Sequence, residues 1–471
     1  MATKEELIRK YSRAIREHNA AVFAGAGLSR PSGYVDWKGL LRPLANDIGL
    51  DVDRETDLLA IAQYYRNNRG RTSVNQAIMD AFSKDVLTNE NVQILTRLPI
   101  STYWTTNYDE LIEGGIKDAH RIPDVKSESD QLTLFKPGRD AVVYKMHGDV
   151  NHSANAVLTK SDYELYDIKR PLFRTALKSD LVSKVFLLVG FSFEDPNFNY
   201  IIEQTHRSLR ANSPEHYCFF RRIQKTDYPD HAVYEYEKRK QDYREQDLRN
   251  YGIQTVFVDN WSEVTEILRE IEHASKMRNV FISGSASEFI PPWNEMEAEA
   301  LSEKLAGTLV NNGYKITSGF GFGIGSAVVN GAINAIYTNR VKTVRDQLSL
   351  HPFPQNVSDP IKKKTLWESY RRDMIKETGI SIFMFGNKKG AAGNTINSDG
   401  CIQEFEIAKE FGNIIIPIGS TGYAAEKIYN EVKTNIANYP YLIDYMSNLG
   451  SETDIDRIVD IVLAIIRHQE K

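Results

Sequence analysis

Short apolar runs, each stopping abruptly at a glycine or a polar cluster, organise this chain. Four of them lead into Gly25-Ala26-Gly27-Leu28-Ser29, Thr105-Thr106-Asn107-Tyr108-Asp109, Lys145-Met146-His147-Gly148-Asp149 and Gly190-Phe191-Ser192-Phe193. Runs of this length and apolarity, separated by periodic helical stretches, predict a parallel sheet with helices on both faces. In an open α/β sheet, ligands bind outside the carboxyl ends of the strands. The pattern therefore gathers all four clusters on one sheet edge.

The expected strands of the first half are Ala21–Ala24, Ser101–Thr105, Val142–Met146, Val185–Val189, Tyr217–Phe220 and Thr255–Val258. Leu7, Tyr11, Ala14 and Ile15 recur at helical spacing, so the N-terminus reads as an amphipathic helix and not as a signal peptide. Ala232 to Arg249 is dense in Glu, Lys, Arg, Tyr and Gln and reads as a solvated helix. A boundary is expected near Ser275–Arg278, after a stripe of Val264, Ile267, Leu268 and Ile271. It divides the chain into domains 1–275 and 279–471, and 471 residues suffice for two or three domains. A second sheet is expected from Val280–Ile282, Lys315–Thr317, Ser381–Met384 and Ile414–Ile416, with Leu301, Leu305 and Leu309 on one helix face. The Gly-, Asn- and Ser-rich stretch Gly390 to Gly400 reads as a mobile loop. Ile458 to Ile466 contains Asp460 and is too short to span a membrane, so it reads as a packed helix.

The net charge of −5 supplies no global basic field for nucleic acid or an anionic membrane. Two distant cysteines, Cys218 and Cys401, exclude a disulfide framework and a cysteine-rich zinc site, and they suit a reducing cytoplasm. No metal is implied. Gly25 and Gly27, lacking Cβ atoms, let a backbone approach a pyrophosphate, although Gly-x-Gly turns also occur as purely structural turns. Asn107 and Asp109 follow a strand end, where each is a ligand contact or a helix cap. His147 also lies at a strand end, beside a glycine that clears space, and can accept a proton.

Together, in this order, the four clusters resemble the sirtuin family, which cleaves NAD+. The resemblance implies that Gly25, Ala26, Gly27, Ser29, Asp109 and Ser192 bind the dinucleotide and that Asn107 and His147 are catalytic. Within that set the matching Asn holds the nicotinamide ribose and the attacking water, and the matching Asp contacts the carboxamide. The chain departs from the family twice. The paired cysteines of the zinc module are absent, and Gly33-Tyr34-Val35-Asp36-Trp37 stands where a Pro-x-Phe-Arg segment is expected. The loop covering the nicotinamide side is therefore expected to be built differently.

The second half resembles the SLOG fold through Gly284-Ser285, the glycine run Gly319 to Gly325 and the segment Gly400 to Glu404. Arg371, Arg372, Lys388 and Lys389 add charge that suits phosphates. The Pro-Gly-Gly-x-Gly-Thr-x-x-Glu run typical of enzymes of this fold is replaced, which favours nucleotide binding over nucleotide hydrolysis. Effector-binding residues are then Gly284, Ser285, Arg371, Lys388 and Glu404. A sirtuin-like Rossmann-type domain followed by a SLOG Rossmann-like domain resembles the NADase effectors of Thoeris antiphage defence. That resemblance implies a cytoplasmic NAD+ glycohydrolase activated by a cyclic ADP-ribose isomer. It also implies a homo-oligomer, a tetramer or larger, coupled to a TIR-domain protein that makes the signal. The alternatives are a sirtuin-type protein deacylase, disfavoured by the missing cysteines, and a non-catalytic nucleotide sensor, disfavoured by Asn107 and His147 together.

Overall fold

Strand β1 (Ala20–Ala24) is buried along its whole length, and its side chains alternate between two cores. Ala20, Val22 and Ala24 pack into one and Ala21 and Phe23 into the other, as a period of two requires for a strand covered on both faces. The computed structural model describes residues 1–209, 214–339, 343–354, 357–390 and 392–469. It divides into two compact units, Met1–Glu272 and His273–Lys471. In the first unit β1 is followed by β2 (Thr102–Thr105), β3 (Pro123–Lys126), β4 (Ala141–Lys145), β5 (Val185–Val189), β6 (His216–Arg221) and β7 (Ile253–Val258). The strands pair in parallel in the order β3-β4-β2-β1-β5-β6-β7. The chain leaves β1 on one side and returns on the other at β5. The switch point therefore lies at β1, with β2 and β5 flanking it.

The N-terminal helix Lys4–Arg16 buries Leu7, Tyr11, Ala14 and Ile15, the stripe expected from spacing. The helix His231–Asn250 buries only Glu245 and Leu248 along its length. The unit division at Glu272 falls inside the helix Ser262–Lys276, whose Val264, Ile267, Leu268 and Ile271 pack into the first core.

The second unit contains β8 (Asn279–Ser283), β9 (Lys315–Ser318), β10 (Leu348–Leu350), β11 (Ile380–Met384), β12 (Asn387–Lys389), β13 (Thr395–Asn397) and β14 (Ile414–Ile418). Five of them form a parallel sheet in the order β10-β9-β8-β11-β14, and its switch point lies at β8. Leu301, Leu305 and Leu309 are fully buried in the helix Glu295–Asn311. The terminal helix Ile455–Gln469 packs through Ile458, Val459, Val462 and Ile466. Among the described residues no helix is long and apolar enough to cross a membrane.

Three elements differ from expectation. β3 opens on Pro123 and carries Asp124 and Lys126, and β10 has three residues. Both lie at sheet edges, where a strand needs no continuous apolar run. The third is the Gly390 to Gly400 stretch, of which Ala391 lies outside the described residues. Instead of a loop throughout, it contains β13, paired antiparallel with β12, and the start of the helix Asp399–Glu410.

Candidate active site

The four clusters follow β1, β2, β4 and β5, which are neighbours in the sheet. Their loops line one cavity of about 610 Å³ that Gly25, Ala26, Gly27, Asn107, Asp109, His147 and Ser192 all reach. Ser29 is buried behind it and joins the site through Asn107.

Asn107 holds two loops together. Its Nδ2 donates to the Gly25 carbonyl at 3.1 Å and to Ser29 Oγ at 2.9 Å, while its own N–H donates to Thr105 Oγ1 at 2.9 Å. Both amide protons are thus used inside the protein, and what Asn107 can offer a ligand is the Oδ1 acceptor. Asp109 is buried, and its Oδ1 accepts from the Leu111 N–H at 3.1 Å. Burial pushes its carboxyl above the usual range, against the pull of Ser29, the Leu111 N–H and Lys145. Beneath this loop Lys145, fully buried, donates to the Tyr108 and Asp109 carbonyls at 3.2 and 2.7 Å, to Glu113 at 2.8 Å and to Asp149.

The glycines of the first cluster have a packing role. A Cβ on Gly25 would meet the Gly190 carbonyl oxygen at 2.5 Å, and one on Gly27 would meet Gly190 Cα at 2.8 Å. The Gly25 and Gly27 N–H groups donate to the Val189 and Gly190 carbonyls at 3.0 and 2.9 Å. Gly190 itself sits at φ +65°. The loops after β1 and β5 thus press backbone on backbone, and the Gly25 and Gly27 amides are already bonded within the protein. Arg30, which also lines the cavity, is a cation that the sequence did not single out. The segment that departs from the sirtuin pattern forms one wall. Asp36 caps the helix Trp37–Asp47 by accepting from the Gly39 N–H at 2.8 Å, and the Trp37 ring stacks on Tyr163 with centroids 6.2 Å apart.

His147 is buried, with Nε2 3.0 Å from Asp195 Oδ2. The N–H direction is not aligned on that oxygen, so this is a contact at ion-pair distance and not a formed hydrogen bond. Asp195 accepts from the Phe198 N–H at 2.8 Å and from the Tyr163 hydroxyl at 3.1 Å. Burial works to raise its carboxyl, but His147, the Phe198 N–H and Tyr163 outweigh burial and hold it below the usual range. Sequence reasoning missed Asp195. Its only local signal, an Asp before the Pro196 that opens the helix Pro196–Leu209, is that of a helix cap. Ser192 is exposed, and its carbonyl accepts from Arg244.

In the second unit the residues expected at the effector site are brought close, but much of their charge is already matched. Glu404 is buried and accepts from Ser283 Oγ at 2.6 Å and from Arg371 Nε at 3.4 Å, and burial raises its carboxyl. Arg371 also donates to Gln403 at 3.0 Å and lies over the Phe353 ring at 4.8 Å. Ser285 donates to the Asn387 carbonyl at 3.0 Å. A Cβ on Gly284 would meet the Ile324 side chain at 2.5 Å. Lys388 is half-buried and pairs with Asp399. Among the described residues no three His, Cys, Asp or Glu side chains are grouped to hold a metal ion.

Residues 101–255 match the SIR2-like domain, and residues 263–469 match the Sir2- and TIR-associating SLOG family. Over 439 residues the chain is 45% identical to the NAD(+) hydrolase ThsA of Bacillus cereus (strain MSX-D12), covering 92% of this chain and 90% of that one. It is 41% identical over 475 residues to the NAD(+) hydrolase ThsA of Acinetobacter baumannii (strain 532279), covering 98% of both. The chain belongs to the ThsA family. The ThsA of Cytobacillus dafuensis is similar at 42% identity over 449 residues, 93% of this chain and 90% of that one. In this chain the SIR2-like region precedes the SLOG region.

Proposed function

We propose that this chain is an NAD+ glycohydrolase whose N-terminal domain, 1–275, cleaves NAD+ to nicotinamide and ADP-ribose. Its C-terminal domain, 279–471, would switch that activity on when a cyclic ADP-ribose isomer binds. The observation that carries the reading is the convergence of Asn107, Asp109 and His147 on one cavity at the switch point of the first sheet. Membership of a family whose relatives are named NAD(+) hydrolases supports it.

The chemistry suits these residues. Nicotinamide in NAD+ carries a positive ring nitrogen. When the N-glycosidic bond breaks, its electron pair neutralises that nitrogen, so no general acid is needed. Water then bonds to the ribose carbon and gives up one proton. Asn107 Oδ1 accepts from that water and aims it, and His147 takes the proton, a contribution of about 10²–10⁴-fold. Asp109 lines the same cavity beside Asn107, where its carboxyl is placed to contact the carboxamide. Ser192 and the turn at Gly25, Ala26 and Gly27 bound the dinucleotide's path, with Arg30 as a nearby cation.

Control follows from the second sheet edge. Gly284, Ser285, Arg371, Lys388 and Glu404 lie about the loops after β8 and β11, and Lys388 is a cation that can exchange its surface partner Asp399 for a phosphate. A ligand there switches the enzyme only by binding the active assembly more tightly than the resting one. In this reading the active form is a homo-oligomer, a tetramer or larger, in the cytoplasm. A TIR-domain protein supplies the signal, and loss of NAD+ is the antiphage outcome. The test is nicotinamide release by the full chain given NAD+ alone, NAD+ with candidate cyclic ADP-ribose isomers, and NAD+ with an acylated peptide. Release that needs an isomer is expected. Release only with the peptide would make it a deacylase, and NAD+ binding without release would make it a sensor.

A further inference from the structure

We infer that Asp195 is a positioning residue for the reaction, fixing which nitrogen of His147 carries its proton. The inference rests on the proposed NAD+ cleavage and goes beyond it by adding a residue outside the four sequence clusters' expected set. Asp195 Oδ2 lies 3.0 Å from His147 Nε2, and both side chains are buried. A carboxylate beside one imidazole nitrogen favours the proton on that nitrogen and leaves the lone pair on the other. Here Nε2 keeps the proton and Nδ1 is the base. Alignment of Nε2–H on Oδ2 is a step that catalytic contacts commonly complete on substrate binding.

Asp195 can do this because its own place is fixed from three sides. The Phe198 N–H holds Oδ1, and the Tyr163 hydroxyl shares Oδ2 with the histidine. Asn199 Nδ2 donates to the Phe193 carbonyl at 2.8 Å and secures the turn. Tyr163 is held in turn by the Trp37 ring stacked on it, and its edge meets the His147 ring with centroids 5.4 Å apart. The wall built from the divergent Gly33-to-Trp37 segment thus braces the histidine through Tyr163 and Asp195.

The competing reading is that Asp195 only caps the helix Pro196–Leu209. Asp195→Asn separates the two, because asparagine caps a helix as well as aspartate does but carries no charge, and its amide protons favour the wrong histidine tautomer. In full-length protein under conditions where wild type turns over, we expect Asp195→Asn to keep the melting temperature and the KM for NAD+. Its kcat should fall about 10²–10⁴-fold. Nitrogen-15 NMR of histidine-labelled protein, with the His147 signals assigned by their loss in His147→Gln, should show Nε2 protonated in wild type and Nδ1 protonated in Asp195→Asn. Wild-type kcat in Asp195→Asn, or an unchanged tautomer, overturns the inference. The NMR measurement needs no turnover, so a failure of the NAD+ cleavage reading would be seen separately.

Discussion

Replacing Lys145 with methionine should destabilise the chain by about 3–5 kcal/mol, the range for removing one partner of a buried ion pair. The lysine is fully buried, and its ammonium serves Glu113, Asp149 and two backbone carbonyls. Methionine fills the stem's volume and leaves those acceptors without a cation. At the usual entropy of unfolding for the unit Met1–Glu272, the melting temperature should drop by about 5–9 °C. The pH dependence has a defined sign. Burial already holds the Glu113 carboxyl above its usual range, with Lys145 working against burial. Removing the lysine raises it further. A carboxyl whose folded-state value exceeds its unfolded value binds more protons when folded, so its stabilising share is full at low pH and is lost as the pH rises. The deficit of Lys145→Met should therefore grow as the pH rises above the ordinary carboxylate range. Adding Glu113→Gln and Asp149→Asn should recover most of it, because neutral groups need no counter-charge. Calorimetry of the full chain measures all of this. A loss under about 1 kcal/mol, or a deficit that shrinks as the pH rises, would refute the claim that Lys145 is the charge holding the Asn107–Asp109 loop in place.

Asn107→Ala and His147→Ala should each abolish nicotinamide release while leaving the melting temperature within a few degrees, and wild-type turnover in a folded variant would remove that residue from the mechanism. Lys388→Ala should weaken binding of a cyclic ADP-ribose isomer at least about tenfold by calorimetry without loss of stability, since its partner Asp399 is a surface group. Arg371 is better tested as Arg371→Lys than as Arg371→Ala, because alanine would strip the buried Glu404 of its cation. His216 is buried with Nδ1 accepting from the Phe186 N–H, and burial pushes its imidazole down from 6.5 to about 4. The folded value lies below the unfolded one, so stability is full above about pH 6.5 and falls as the pH drops toward 4. His216→Gln should remove up to about 3 kcal/mol of that acid sensitivity in denaturation measured across this window.

Much of the fold was legible because it is repetitive. β1, β2, β4 and β5 are central strands, and each must be apolar along its length to sit between two layers of helices. The same physics marked β8, β9 and β11, and β14, though at an edge, was legible because Ile414–Ile418 is apolar throughout. The edge strands β3 and β10 escaped notice because an edge tolerates Pro123, Asp124 and Lys126. A turn-rich composition around Gly390 to Gly400 hid the short strand pair β12–β13, whose residues are mostly polar.

The sequence by itself determined that Asn107, Asp109, His147 and Ser192 stand on one sheet edge, since each follows a strand and parallel strands all end on the same side. Only the tertiary structure decided what each group has left to offer. It used the Gly25 and Gly27 amides on the Gly190 loop, matched Arg371 to Glu404, occupied both amide protons of Asn107, and brought Asp195 to His147 from 48 positions along the chain. Pairings of that kind depend on where separate loops meet in space, and no local pattern of residue types encodes a meeting point.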